Sequence, residues 1–144
     1  MHQILQSIRS IYHNYRLIPF FLSISVIIDY ALTFYFAGSI DNILAYEFSP
    51  LLVFAVRNNI VLPYLMFTVV FYYCMGYVVL SLLAGDRIYP VGVFIILLMS
   101  ITHVMGGLSW IILNETYSNM IFMLSMTSII IAVTIFGYEV FRQV

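Results

Sequence analysis

Charge is scarce in this chain. Only 8% of its 144 residues are Asp, Glu, Lys or Arg, where a soluble domain carries about a quarter. That supply cannot cover a water-facing surface, so a soluble globule is excluded. Lysine is missing altogether, and five arginines stand against six acids for a net charge of −1. With no basic patch to grip a phosphate backbone, nucleic acid is excluded as a partner. There is one cysteine, Cys74, inside an apolar run. A lone thiol excludes an intrachain disulfide, and no Cys/His cluster marks a structural zinc site. Packing as a small hydrophobe is its expected role. Internal repeats, low-complexity stretches and flexible linkers are missing too.

What the chain has in excess is hydrocarbon. Hydrophobic residues make up 64% and aromatic residues 17%, far too much for a disordered chain. A bilayer core of about 30 Å needs roughly 20 apolar residues per helix. Four runs meet that length, at about 17–37, 60–84, 89–113 and 119–141. Each is bounded by polar punctuation: Gly38-Ser39, Asn58-Asn59, Gly85-Asp86-Arg87 and Asn114-Glu115. Barrel strands would alternate in hydropathy over about ten residues, so helices are predicted. The expected fold is all-α, an integral membrane bundle of four transmembrane helices forming one domain over 1–144. Arg9, Arg16, Arg87 and Arg142 lie on one side of this topology and only Arg57 on the other. That bias predicts both termini in the cytoplasm. The first run is too long for a signal-peptide core and carries Asp29, so it reads as a retained span.

Two shorter elements complete the prediction. In 1–16, Ile4, Leu5, Ile8, Ile11, Tyr12 and Tyr15 recur at spacings of three and four, with His2, Gln6, Arg9, His13 and Arg16 between them. This is an amphipathic helix suited to the membrane interface. After the first span, Ser49 is a fitting N-cap and Pro50 occupies the favoured first helical position. A helix running unbroken from Pro50 to Ala84 would be about 52 Å long and exceed the bilayer. A short apolar helix over Pro50–Arg57 is therefore expected at the outer face, with the bend at Asn58, Asn59 and Pro63.

The residues that point to chemistry are those that are costly in a membrane. Asp29 lies about 18 Å into the first span and His103 about 21 Å into the third, which runs in the same direction. Two helices thus bring an acid and an imidazole to similar depth. An Asp at a helix centre costs about 2.5–3.5 kcal/mol on insertion scales, and such residues are functional candidates by default. Around them lies a candidate lining of small and polar positions: Ser25 and Thr33 on the first span, Thr68 and Tyr72 on the second, Gly106 and Gly107 on the third. The two glycines would let another helix approach one turn above the imidazole. The fourth span adds Ser125, Ser128 and Ala132, with Glu139 further along the same stripe. Glu47, just before the short helix, would reach Asp29 and His103 if residues 41–50 fold inward. Asp29, Glu47 and His103 together would suit a divalent metal ion with water completing its shell, although no compact metal motif is present.

Four readings of this centre stay open on the sequence. It is hydrogen-bonded glue between helices, a proton or cation site, a hydrolytic metal site, or a lipid or quinone site. The corresponding functions are a small transporter or channel component, a structural or assembly subunit of a larger membrane complex, and an intramembrane metal-dependent hydrolase. Whether the chain is an enzyme is left undecided. Membrane lipid is the expected environment, and a chain this small would need further copies, or a membrane-complex partner, to enclose a path.

Asp29 and Thr33 followed by a short loop and then Glu47-Phe-Ser49-Pro50 form a pattern of about 25 residues. It resembles the DUF5658-type small prokaryotic membrane proteins, which carry a helix Asp with a nearby Thr and then a Glu-x-Asn-Pro element. Ser49 stands here in place of the Asn. That family has no assigned function, so the resemblance implies a four-helix membrane architecture and an interest in Asp29 and Glu47.

Overall fold

The computed structural model describes residues 11, 12 and 14–143. The amphipathic helix expected over 1–16 falls mostly outside them. Among the described residues six helices follow one another. They are α1 (Leu17–Phe36), α2 (Ile40–Tyr46), α3 (Pro50–Arg57), α4 (Val61–Leu83), α5 (Tyr89–Ile112) and α6 (Glu115–Gln143). Four of these, α1, α4, α5 and α6, are long and apolar enough to cross a membrane.

Local chemistry sets the breaks. Gly38 takes φ +71° after α1, a left-handed turn that glycine enters without steric cost. Ser39 then caps α2 by accepting from the Asn42 amide at 3.1 Å, and Asp41 sits in the first turn beside the positive helix end. The amide of the Asn42 side chain donates back to the Ala37 carbonyl at 2.7 Å, closing the end of α1. Hydropathy gave no sign of α2, because its seven residues are short and mixed; the Ser39 cap was its available signal. α3 starts where Ser49 accepts from the Leu52 amide at 3.3 Å. The chain turns into α4 through Asn59 at φ +56°, a conformation Asn tolerates better than most residues. α6 begins at Glu115, four residues before the apolar run, and continues to Gln143.

α1 packs mainly on α5 and next on α4, while α6 packs on α5. Contacts from Tyr12 to Tyr89 and from Asp29 to His103 advance together, so α1 and α5 run parallel. Ser23 reaches Val69 and Tyr30 reaches Tyr64, so α4 runs antiparallel to α1. The apolar core is in two parts. Ile18, Leu22, Val26, Leu80, Leu83, Tyr89, Val93 and Ile96 fill the end near the α4–α5 turn. Ala37, Ile43, Leu52 and Val56 fill the end capped by α2 and α3. The polar side chains of α1, α4 and α5 fall between these two clusters.

Glycine permits the closest packing. A Cβ on Gly107 would lie 2.9 Å from Leu32 Cβ and 3.0 Å from both Cα and the carbonyl oxygen of Asp29. The backbones of α1 and α5 therefore touch at the level of Asp29. Cys74 is exposed on α4 rather than packed inside.

Candidate functional site

The site is built around one contact. His103 Nδ1 lies 2.8 Å from Asp29 Oδ2, joining α5 to α1. When Asp29 is ionised, Nδ1 carries the proton and donates it to the carboxylate. The two side chains retain 20% and 18% exposure, so the pair is screened without being sealed. The other ring nitrogen, Nε2, has no hydrogen bond among the described residues, and it is not one of the sealed unbonded atoms. It is open to a further partner.

The neighbours order this pair. Tyr72 of α4 stands edge-on to the imidazole, ring centroids 5.0 Å apart, fixing the ring plane. Gly106 leaves room for the carboxylate, since a Cβ there would sit 3.3 Å from Asp29 Oδ1. One residue from Asp29, the Tyr30 hydroxyl meets that of Tyr64 at 3.1 Å. Thr68 lies beside this hydroxyl pair, and its own hydroxyl donates to the Tyr64 carbonyl at 2.8 Å. Tyr64, Thr68 and Tyr72 occupy positions i, i+4 and i+8 of α4, one stripe about 12 Å long. It runs from the α3 end of the bundle down to His103. Tyr30 and Tyr64 escaped the sequence reading, although Tyr64 extends the Thr68–Tyr72 stripe by one turn and Tyr30 adjoins Asp29.

The other expected lining residues are dispersed. Ser25 is buried, but its hydroxyl donates to the Phe21 carbonyl of its own helix at 2.9 Å. Thr33 is buried one turn beyond Asp29. On α6, Ser128 is fully buried and its hydroxyl donates to the Leu124 carbonyl of its own helix.

Glu47 is half-buried at the junction of α2 and α3. Its Oε1 accepts from the Ser49 amide at 2.8 Å. Burial pushes its carboxyl above the ordinary range, and the charge of Asp29 pushes the same way. The Ser49 and Phe48 amides and the Trp110 indole act in the opposite direction without offsetting them. Trp110 is partly buried and packs against the Ile43–Leu52 cluster. The three expected metal ligands do not gather. Among the described residues no three His, Cys, Asp or Glu side chains are placed to hold a metal ion. Asp29 and His103 form a pair, and Glu47 is engaged by the turn that starts α3.

A second polar group lies at the opposite end. Asp86 of the α4–α5 turn pairs with Arg142 of α6 and not with its sequence neighbour Arg87. Arg142 also meets Glu139 Oε2 at 2.9 Å. Arg142 holds the Asp86 carboxyl below the usual carboxylate range, helped by the Ile88 amide. Between the two polar groups lies an apolar cavity of about 310 Å³, lined by α4, α5 and α6 with Leu22 of α1, and half-open on its outer side. No family model, curated protein or solved structure matches the chain.

Proposed function

We propose that the chain is a four-span integral membrane protein whose Asp29–His103 pair binds a proton. The membrane part rests on the outward faces of the four long helices. Ile27 of α1, Leu62 and Phe67 of α4, Phe94 of α5 and Ile130 and Val133 of α6 are each more than half exposed, a surface that water would not tolerate and that lipid accommodates. The single observation that carries the site is the 2.8 Å contact between a carboxylate and an imidazole midway along two apolar helices. A bonded acid and base at membrane depth share a proton and have somewhere to pass it, because Nε2 remains open. A metal ion is a poorer fit, since no third ligand joins the pair.

Proton counting tests this. The detergent-purified protein is moved in unbuffered solution from mildly alkaline to mildly acidic pH, and uptake is read with an indicator dye. The wild type takes up more protons than Asp29→Asn or His103→Gln, and the double variant takes up no fewer than the single ones. Equal uptake by all four proteins refutes the reading. Metal analysis of the same samples separates a bound ion from a bound proton.

A second reading is favoured by the glycines. With Gly106 and Gly107 bringing α1 against α5 at Asp29, the pair also serves as a clamp between helices. A pure clamp predicts loss of stability in both variants with unchanged proton uptake.

A further inference from the structure

Glu139 has no role in the reading above. It lies near the end of α6, and only 2% of it is exposed. One carboxylate oxygen, Oε2, meets Arg142 at 2.9 Å. The other, Oε1, is sealed from solvent and has no hydrogen-bond partner, the one such side-chain atom among the described residues. Ion pairing does not account for this. Arg142 is already paired with Asp86, so two acids share one guanidinium, and the buried one keeps an empty oxygen. Buried carboxylates ordinarily fill their acceptor sites.

The position of Glu139 relative to the cavity supplies the second observation. Ile135 and Phe136 of α6 line the cavity, and Glu139 follows them at i+4 and i+3 on the same face. At the far end the lining includes Tyr72, whose ring touches the His103 imidazole, and Met99, one turn before His103. One cavity therefore runs from the neighbours of a buried unbonded carboxylate to the neighbours of the Asp29–His103 pair.

We propose that Glu139 is the second proton-exchanging group of this protein, linked to the Asp29–His103 pair through the α4–α5–α6 cavity; this rests on the pair binding a proton. The step is a simple transfer. The Glu139 carboxylate first takes a proton at Oε1 from the aqueous side. That O–H bond then breaks, an N–H bond forms at His103 Nε2, and the carboxylate returns to its pairing with Arg142, with no change of oxidation state. Water is the carrier. The cavity has room for on the order of ten water molecules, but an apolar lining disfavours filling. Its outer side is open between α4 and α6, where Phe71, Met75 and Val133 are exposed, so the path conducts only while water replaces hydrocarbon along it. Beyond the pair, the bonded Tyr30 and Tyr64 hydroxyls, with Thr68 beside them, lie toward the α3 end. The path is thus polar on one side of the pair and apolar on the other, with Glu139 at its end.

The test is proton flux. The full chain is reconstituted in phospholipid vesicles with an internal pH dye, and a pH difference is imposed under a potassium-clamped potential. The wild type dissipates the difference, and Asp29→Asn falls to the rate of protein-free vesicles. Glu139→Gln slows flux by on the order of a hundredfold, the usual cost of losing a proton-transfer group. Glu139→Asp, which keeps a carboxyl, recovers most of it. Arg142→Gln breaks the same ion pair and keeps flux, which separates relay from structural support. Wild-type rates in Glu139→Gln, or equal slowing in Glu139→Gln and Arg142→Gln, overturn the proposal while the pair keeps its role. No flux in the wild type, with the pair still taking up its proton, also overturns it alone. If neither flux nor uptake depends on Asp29, both readings fall.

Discussion

Adding one methyl group at Gly107 should separate α1 from α5. The nearest atoms to a new Cβ are Leu32 Cβ at 2.9 Å and the Asp29 Cα and carbonyl oxygen at 3.0 Å. Ordinary contacts begin near 3.4 Å, so α1 must retreat by about 0.5 Å. Two of the three obstructing atoms are backbone, which cannot rotate away as a side-chain end can. Overpacking of this kind costs about 1–3 kcal/mol. Gly137→Ala provides the control. Nothing lies within 4 Å of a Cβ there, and replacing glycine by alanine inside a helix stabilises by roughly 0.5–1 kcal/mol. The two changes are chemically identical and should differ in sign. Reversible unfolding of the two variants in mixed micelles, followed by helical circular dichroism, measures the difference. A Gly107→Ala protein as stable as Gly137→Ala would show that α1 and α5 do not touch at Asp29, and the geometry of the pair would fall with it.

Glu47→Gln should stabilise the protein near neutral pH. The carboxyl is raised in the folded chain by burial, so the folded state holds its proton more tightly than the unfolded state, and wild-type stability declines as pH rises through that window. The gap in thermal midpoint should close below the ordinary value of 4.5, where both side chains are neutral; a pH-independent gap would contradict this. Asp86→Asn has the opposite sign. Its carboxyl is depressed by Arg142, so its contribution is complete above the ordinary value of 3.8 and disappears as pH falls through the lower folded value. The pair is exposed, so the loss in Asp86→Asn should be small and vanish in high salt; a large, salt-insensitive loss would contradict the exposed geometry.

The residues that could be read from the sequence are those whose cost is set by their own helix. Asp29 and His103 stand out because an apolar helix has no local use for an acid or an imidazole, and the 1.5 Å rise alone brings them to one depth. Gly106-Gly107 signals close approach for the same reason: removing a side chain has a meaning that does not depend on the partner. The four long helices follow from the length of the apolar runs. Glu47 was less legible, because its reach depends on a turn. The Ser49 amide and the start of α3 hold its carboxylate, and no periodicity reports that. The Asp86–Arg142 pair was not legible for a related reason. In sequence Asp86 adjoins Arg87, but a helix-to-helix turn sends adjacent side chains apart and brings in the end of α6. Tyr30 and Tyr64 were hidden by abundance. Among 12 tyrosines, membership of a stripe becomes visible only when the facing helix is known.

The arrangement of helices separates the holding of the pair from the control of access to it. α1, α4 and α5 carry the polar layer. Asp29, Tyr30, Tyr64, Thr68, Tyr72 and His103 all lie on these three, and the closest backbone contact lies within that group. α6 packs on α5 and leaves the cavity between itself and α4. Its Ser128 turns back on its own backbone. Near its two ends it is tied to the rest of the chain by different means. Phe122 lies 5.9 Å, ring to ring, from Phe48 before α3, and Arg142 pairs with Asp86 at the α4–α5 turn. A shift of α6 between these ties would open or close the cavity without disturbing the Asp29–His103 contact. A single rigid bundle would have to break its polar layer to admit water. Here the wall that borders the cavity also carries Glu139, so on the proposed path one helix would both control access and bring the proton.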